Sequence, residues 1–223
     1  MKPILSALFA TTLVPPGPAA ATPIAPPTLL QLAGVRAAPG RLAESVVILI
    51  DLQRDYTAAG KLPLAGIAPA LRETARLLER ARAAGVPIIH IRQVSPRGRG
   101  LFETGTPGAE FASEVTPLAG EHVIEKRLPN AFAGTTLADT LAQLGRKELI
   151  LAGAMTHMCV SATARSALDH GYHATVVADA CATRDLPATD GGVIAAADVH
   201  RVALAELADR FATVVHTVEN LPD

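Results

Sequence analysis

The chain has 223 residues, 49% hydrophobic and 18% charged, a balance that supports a large buried core and excludes a disordered chain. The 20 Lys and Arg against 21 Asp and Glu leave no basic surplus for a polyanion, and two Tyr, five Phe and no Trp make no stacking platform, so nucleic acid is excluded as a partner. Two Cys close at most one bridge, which excludes a disulfide scaffold, and no run reaches the roughly 18 apolar residues of a membrane span. In chain order, Lys2 precedes a mostly apolar run over 4–14, and a Pro-rich segment follows that contains Ala19, Ala20 and Ala21. That is the order of a secretory signal with a small-residue cleavage site. The expectation is a flexible Pro/Ala-rich leader or signal peptide over 1–27, ahead of a single domain over 28–223. The cytoplasm is the expected location, with export through the N-terminal segment as the alternative.

From Ser45 onward, short apolar runs rich in β-branched residues alternate with stretches of helical spacing. Strands are expected over 46–52, 87–91, 122–125, 148–152, 173–178 and 211–217. Helices are expected over 68–84, stopped by Gly85; from Thr136 as cap through Leu144, ending at Gly145; over 158–170, ended by Gly171; and over 192–210. This alternation predicts an α/β fold, a three-layer α/β/α sandwich around a central, mainly parallel six-stranded sheet. Ligands of such sheets bind beyond the carboxyl ends of the strands. Residues 95–117, rich in Gly and Pro, are expected to form a long loop over that crevice.

Three strand ends carry chemistry. Asp51 follows the apolar run 46–50, where a carboxylate entering an apolar layer needs a partner. Lys126 closes the third strand and supplies the opposite charge. Cys159 follows the fourth strand at the first turn of a helix, where the helix dipole and a nearby ammonium are expected to hold the thiol ionised at neutral pH. His90, inside the second strand, reads as a core histidine, and Cys181 as structural. Asp198-Val-His200 falls on a helix, where residues two apart do not share a face, so no metal pair is expected there.

The stretches Val-Ile-Leu-Ile-Asp51-Leu-Gln-Arg-Asp-Tyr56, Val-Ile-Glu-Lys126-Arg-Leu-Pro-Asn-Ala-Phe and Leu-Ala-Gly-Ala-Met-Thr-His-Met-Cys159-Val stand in the order of the isochorismatase-like cysteine hydrolases, and the chain resembles that family from Leu29 to its C-terminus. The resemblance implies a catalytic triad of Asp51, Lys126 and Cys159. It also implies a cis peptide between Ala154 and Met155, with the backbone N–H groups of Met155 and Cys159 as an oxyanion site. Gln53, Tyr56 and Phe132 are expected to line the substrate pocket, and Thr156 to orient the turn before Cys159.

The activity implied is cofactor-free hydrolysis of a small amide or other C–N bond through a thioester. Isochorismatase-type vinyl ether hydrolysis, using cations such as Arg92, Arg97 and Arg99, and a sensor or binding protein without turnover are the alternatives. The Asp-x-His metal element of the family's nicotinamidases has no counterpart between Thr57 and Pro87, so no metal is expected. The expected partners are a small-molecule substrate and further copies of the chain, with Ala162, Ala164 and Ala167 offering a close-packing helix face; no membrane partner is expected.

Overall fold

The computed structural model describes residues 25–223; most of the leader expected over 1–27 lies outside the described residues. The strands are β1 (Ser45–Ile50), β2 (Ile88–Gln93), β3 (His122–Lys126), β4 (Glu148–Ala154), β5 (His173–Ala182), β6 (Leu186–Pro187), β7 (Val193–Ile194) and β8 (Ala212–Val215). The α-helices are α1 (Leu29–Leu32), α2 (Ile67–Ala83), α3 (Leu137–Leu144), α4 (Ser161–Asp169) and α5 (Ala196–Arg210). Six strands form one all-parallel sheet in the order β3-β2-β1-β4-β5-β8. β1 sits in the middle, and the strand order reverses between β1 and β4.

All six residues of β1 are buried because both faces of the sheet are covered. Its side chains alternate between two cores. Val47 and Leu49 join Leu71, Leu77 and Leu78 of α2 on one face, whereas Val46, Ile48 and Ile50 meet Leu137 and Leu141 of α3, Ala164 and Ala167 of α4, and Leu207 of α5 on the other. The three-layer α/β/α arrangement follows. Ala164 and Ala167 are wholly inside this second core. The alanine face expected to receive another subunit therefore serves the chain's own packing, because α4 must approach the sheet closely.

Several boundaries differ from expectation for local reasons. Thr136 is the N-cap residue of α3 but makes no side-chain cap; Thr135 Oγ1 accepts from Leu137 N–H at 3.2 Å instead. β4 and β5 extend to Ala154 and Ala182 through an irregularity between Leu151 and Gly153. Gly153 has a φ of 141°, and a Cβ there would stand 2.1 Å from the Ile50 carbonyl oxygen, so only glycine lets β1 and β4 come this close at their carboxyl ends. The helix expected from Gly192 begins only at Ala196, because Val193–Ile194 pairs antiparallel with Leu186–Pro187. Asp185 Oδ1 then accepts the Ala196 N–H at 2.7 Å, at the start of α5. The segment expected as helix from Met158 starts with a π turn over Thr156–Val160, and α4 follows it.

Residues 95–117 do cover the carboxyl side of β1, and they are held down. The side chain of Asp55, 2% exposed, accepts the Phe102 N–H at 2.7 Å. Gly108 lies so close that a Cβ would stand 2.1 Å from Asp55 Oδ1. Gln53 forms an isolated bridge with Phe111, and Ala112 N–H donates to Leu52 O at 3.0 Å. Among the described residues no helix is long and apolar enough to cross a membrane.

Candidate active site

Asp51 is the first residue after β1 and turns out of the sheet with a φ of 53°, a backbone region that Asp tolerates better than most residues. Lys126 ends β3, two strands away, and its side chain reaches back across the end of β2. Cys159 lies in the π turn after β4. The three side chains converge: Lys126 Nζ is 2.7 Å from Asp51 Oδ2 and 3.4 Å from Cys159 Sγ. Lys126 and Asp51 have side chains with no solvent exposure at all.

The third direction of the ammonium is taken by Gln93, whose Oε1 accepts from Lys126 Nζ at 2.7 Å. The ammonium thus hydrogen-bonds to Gln93 and Cys159 and forms an ion pair with Asp51. Gln93 is a member of this cluster that the sequence did not single out.

Gln53 does not line a pocket as expected. It is fully buried, accepts Gln93 N–H on Oε1 at 2.9 Å, and donates from Nε2 to the carbonyls of Gln93 and Ala109, each at 2.8 Å. Both ends of the amide are spent on backbone, so none remains for a ligand. Phe132 is also a packing residue, buried and stacked on His170 with ring centroids 4.6 Å apart. Tyr56 packs edge-on against Phe102 at 4.9 Å, and burial together with the charges of Asp51 and Cys159 raises its hydroxyl pKa.

Thr156 is wholly buried and donates to the Ala182 carbonyl at 3.2 Å, which ties the turn to β5. The Ala154–Met155 peptide is cis, and Met155 N–H meets no acceptor among the described residues. His90 is a core histidine on Glu121 at 2.8 Å, and burial lowers its pKa. Arg92 is paired with Glu110 and Glu125, at 3.3 and 2.5 Å. Asp198 pairs with Arg201, and among the described residues no cluster of His, Cys, Asp and Glu is arranged to hold a metal.

The electrostatics reverse one expectation. Burial pushes the Cys159 thiol up to about 12, and the Asp51 charge adds to this, while Lys126 opposes it. Removal from water and the neighbouring carboxylate favour the neutral thiol against the opposing pull of the ammonium. Burial also raises the Asp51 pKa against the opposing Lys126 charge. Both Asp51 carboxylate oxygens are buried without a donor in good hydrogen-bond geometry among the described residues; Oδ2 faces the Lys126 ammonium, which leaves Oδ1 able to receive a proton.

Residues 45–219 match the Isochorismatase domain family. The crystal structure of an isochorismatase from Pseudomonas putida KT2440 superposes with a TM-score of 0.83 at 45% identity, covering 87% of this chain and 99% of that one. The secreted isochorismatase effector of Verticillium dahliae is 41% identical over 83% of this chain and 94% of its own length. A maleamate amidohydrolase from Pseudomonas putida is 29% identical over 76% of this chain and 81% of its own length. With the profile spanning the whole sheet and both helical layers, the chain belongs to the isochorismatase family of hydrolases.

Proposed function

We propose that the protein is a cysteine amidohydrolase that cleaves a small amide or other C–N bond through a thioester on Cys159. Support comes from the meeting of Asp51, Lys126 and Cys159 in one buried spot at three strand ends, with Lys126 Nζ 2.7 Å from the carboxylate and 3.4 Å from the sulfur. As Sγ attacks the carbonyl carbon, its proton passes to Asp51 Oδ1, so a neutral resting thiol is activated only at the moment of attack. Lys126 stays protonated and offsets the negative charge shared between carboxylate and sulfur. The tetrahedral oxygen is held by the backbone N–H groups of Met155 and Cys159, a contribution of about 3 to 4 kcal/mol per donor. The C–N bond breaks and the amine leaves with the proton from Asp51; Asp51 then takes a proton from the water that attacks the thioester and passes it to sulfur as the C–S bond breaks and the acid is released. Every step is served by this chain's own groups and water.

An amide substrate accords with the maleamate amidohydrolase among the relatives and with the thiol at the centre of the site. Vinyl ether cleavage of a dianion would call on Arg92, which is already engaged by Glu110 and Glu125. The decisive experiment is intact-mass analysis after exposure to a panel of small primary amides, read together with ammonia release. An acyl adduct on Cys159 and ammonia, both lost in Cys159→Ala, are expected. Pyruvate release from isochorismate without any adduct, or full turnover by Cys159→Ala, would overturn the reading.

A further inference from the structure

His200, on α5, reaches the turn that carries the nucleophile. Its Nδ1 lies 2.9 Å from Thr156 Oγ1. The Thr156 hydroxyl has one proton, and it goes to the Ala182 carbonyl, which can only accept. His200 must then be the donor, which places a proton on Nδ1. His200 also lines a cavity of about 640 Å³, together with Asp179, Cys181 and Thr183 but with no member of the triad.

The turn held this way is wound wide. Val160 N–H donates five residues back to Met155 O at 3.3 Å, and Met158 N–H shares that acceptor at 3.0 Å. A single π turn is less well bonded internally than an α-turn and keeps its shape through outside contacts. Three side-chain tethers supply them: Thr156 Oγ1 to the Ala182 carbonyl, His200 to Thr156, and His157 Nδ1 to Thr183 Oγ1 at 2.6 Å. Thr156 directly follows Met155, whose N–H has no acceptor among the described residues. We propose that His200 is a positioning residue: by donating to Thr156 it fixes the direction of the Met155 N–H, and so sets how well the site receives an oxyanion without taking part in the chemistry at sulfur. The inference rests on the oxyanion role proposed above for Met155.

Two reagents separate these functions at Cys159. Iodoacetamide alkylates sulfur by displacement at a saturated carbon and builds no oxyanion. With p-nitrophenyl acetate the S–C bond forms, the thiol proton passes to Asp51, a tetrahedral oxyanion appears, and the C–O bond breaks to release nitrophenolate. Both rates are measured for His200→Leu and His200→Asn in a Cys181→Ala background, which leaves Cys159 as the one thiol. His200→Leu should acylate about 10- to 100-fold more slowly while alkylation stays within about twofold. His200→Asn, whose amide nitrogen replaces Nδ1, should recover most of the acylation rate. Equal loss of both rates, loss of neither, or an Asn variant as slow as the Leu one would each overturn the positioning role. If the parent protein acylates no faster relative to alkylation than a small free thiol, the oxyanion site itself is refuted and the role of His200 with it.

Discussion

Gln53 clasps the backbone of Gln93 from both sides, with Oε1 accepting its N–H at 2.9 Å and Nε2 donating to its carbonyl at 2.8 Å. Gln93 hands that constraint to Lys126 through Oε1 at 2.7 Å. The ammonium is thus aimed by Gln93, which Gln53 in turn holds in place. Gln93→Leu removes one of three acceptors from a buried charge and should lower kcat about tenfold with little change in KM, as steady-state kinetics can check. Gln53→Leu strands three backbone groups and should lower stability by about 2 to 3 kcal/mol, seen as an earlier midpoint in urea.

Asp51→Asn should move two readouts in opposite directions. Turnover should fall by about 10³-fold because the base is gone. Iodoacetamide alkylation of Cys159 near pH 8 should instead become faster, because the charge that helps push the thiol up to about 12 has been removed while Lys126 remains. Slower alkylation would contradict the assignment of Asp51 as a charge that holds the sulfur protonated.

The pH profile follows from the same two groups. The base must be ionised, and burial raises the Asp51 pKa, so kcat/KM should fall on acidification with a midpoint above the usual carboxylate value of about 3.9. On the alkaline side the rate should level off near neutrality, since the thiol loses its proton to Asp51 during attack. A mechanism drawing on free thiolate from a sulfur at about 12 would keep climbing by nearly tenfold per pH unit up to pH 10.

Gly153→Ala should test the closeness of the central strands. With a Cβ 2.1 Å from the Ile50 carbonyl and a φ of 141°, the change should cost about 3 kcal/mol, a drop of about 10 °C in melting temperature by calorimetry. The damage should reach the site as well, since Ile50 precedes Asp51 and Gly153 precedes the Ala154–Met155 peptide.

The three-layer fold and the converging strand ends were legible because buried parallel strands write themselves as apolar runs, and Asp51 and Lys126 stood out as charges at the ends of such runs. Gln93 was not legible: a polar residue closing a strand is ordinary, and its meaning comes from Lys126, 33 positions away in the chain. Gln53 stood within a motif, yet its burial on the backbone of β2 depends on how residues 95–117 fold back. The π turn left no mark either, since Thr156–Val160 has the same composition as a helix start. The upward push of burial on the Cys159 thiol was not legible, because an ammonium and a helix end are visible in sequence, whereas loss of hydration is not.

The seam between Asp55 and Gly108 ties the stretch over the crevice to the segment that follows β1. Diversification there is consequently not modular: exchanging the covering segment with one from a relative would succeed only if the donor brings its own glycine opposite Asp55.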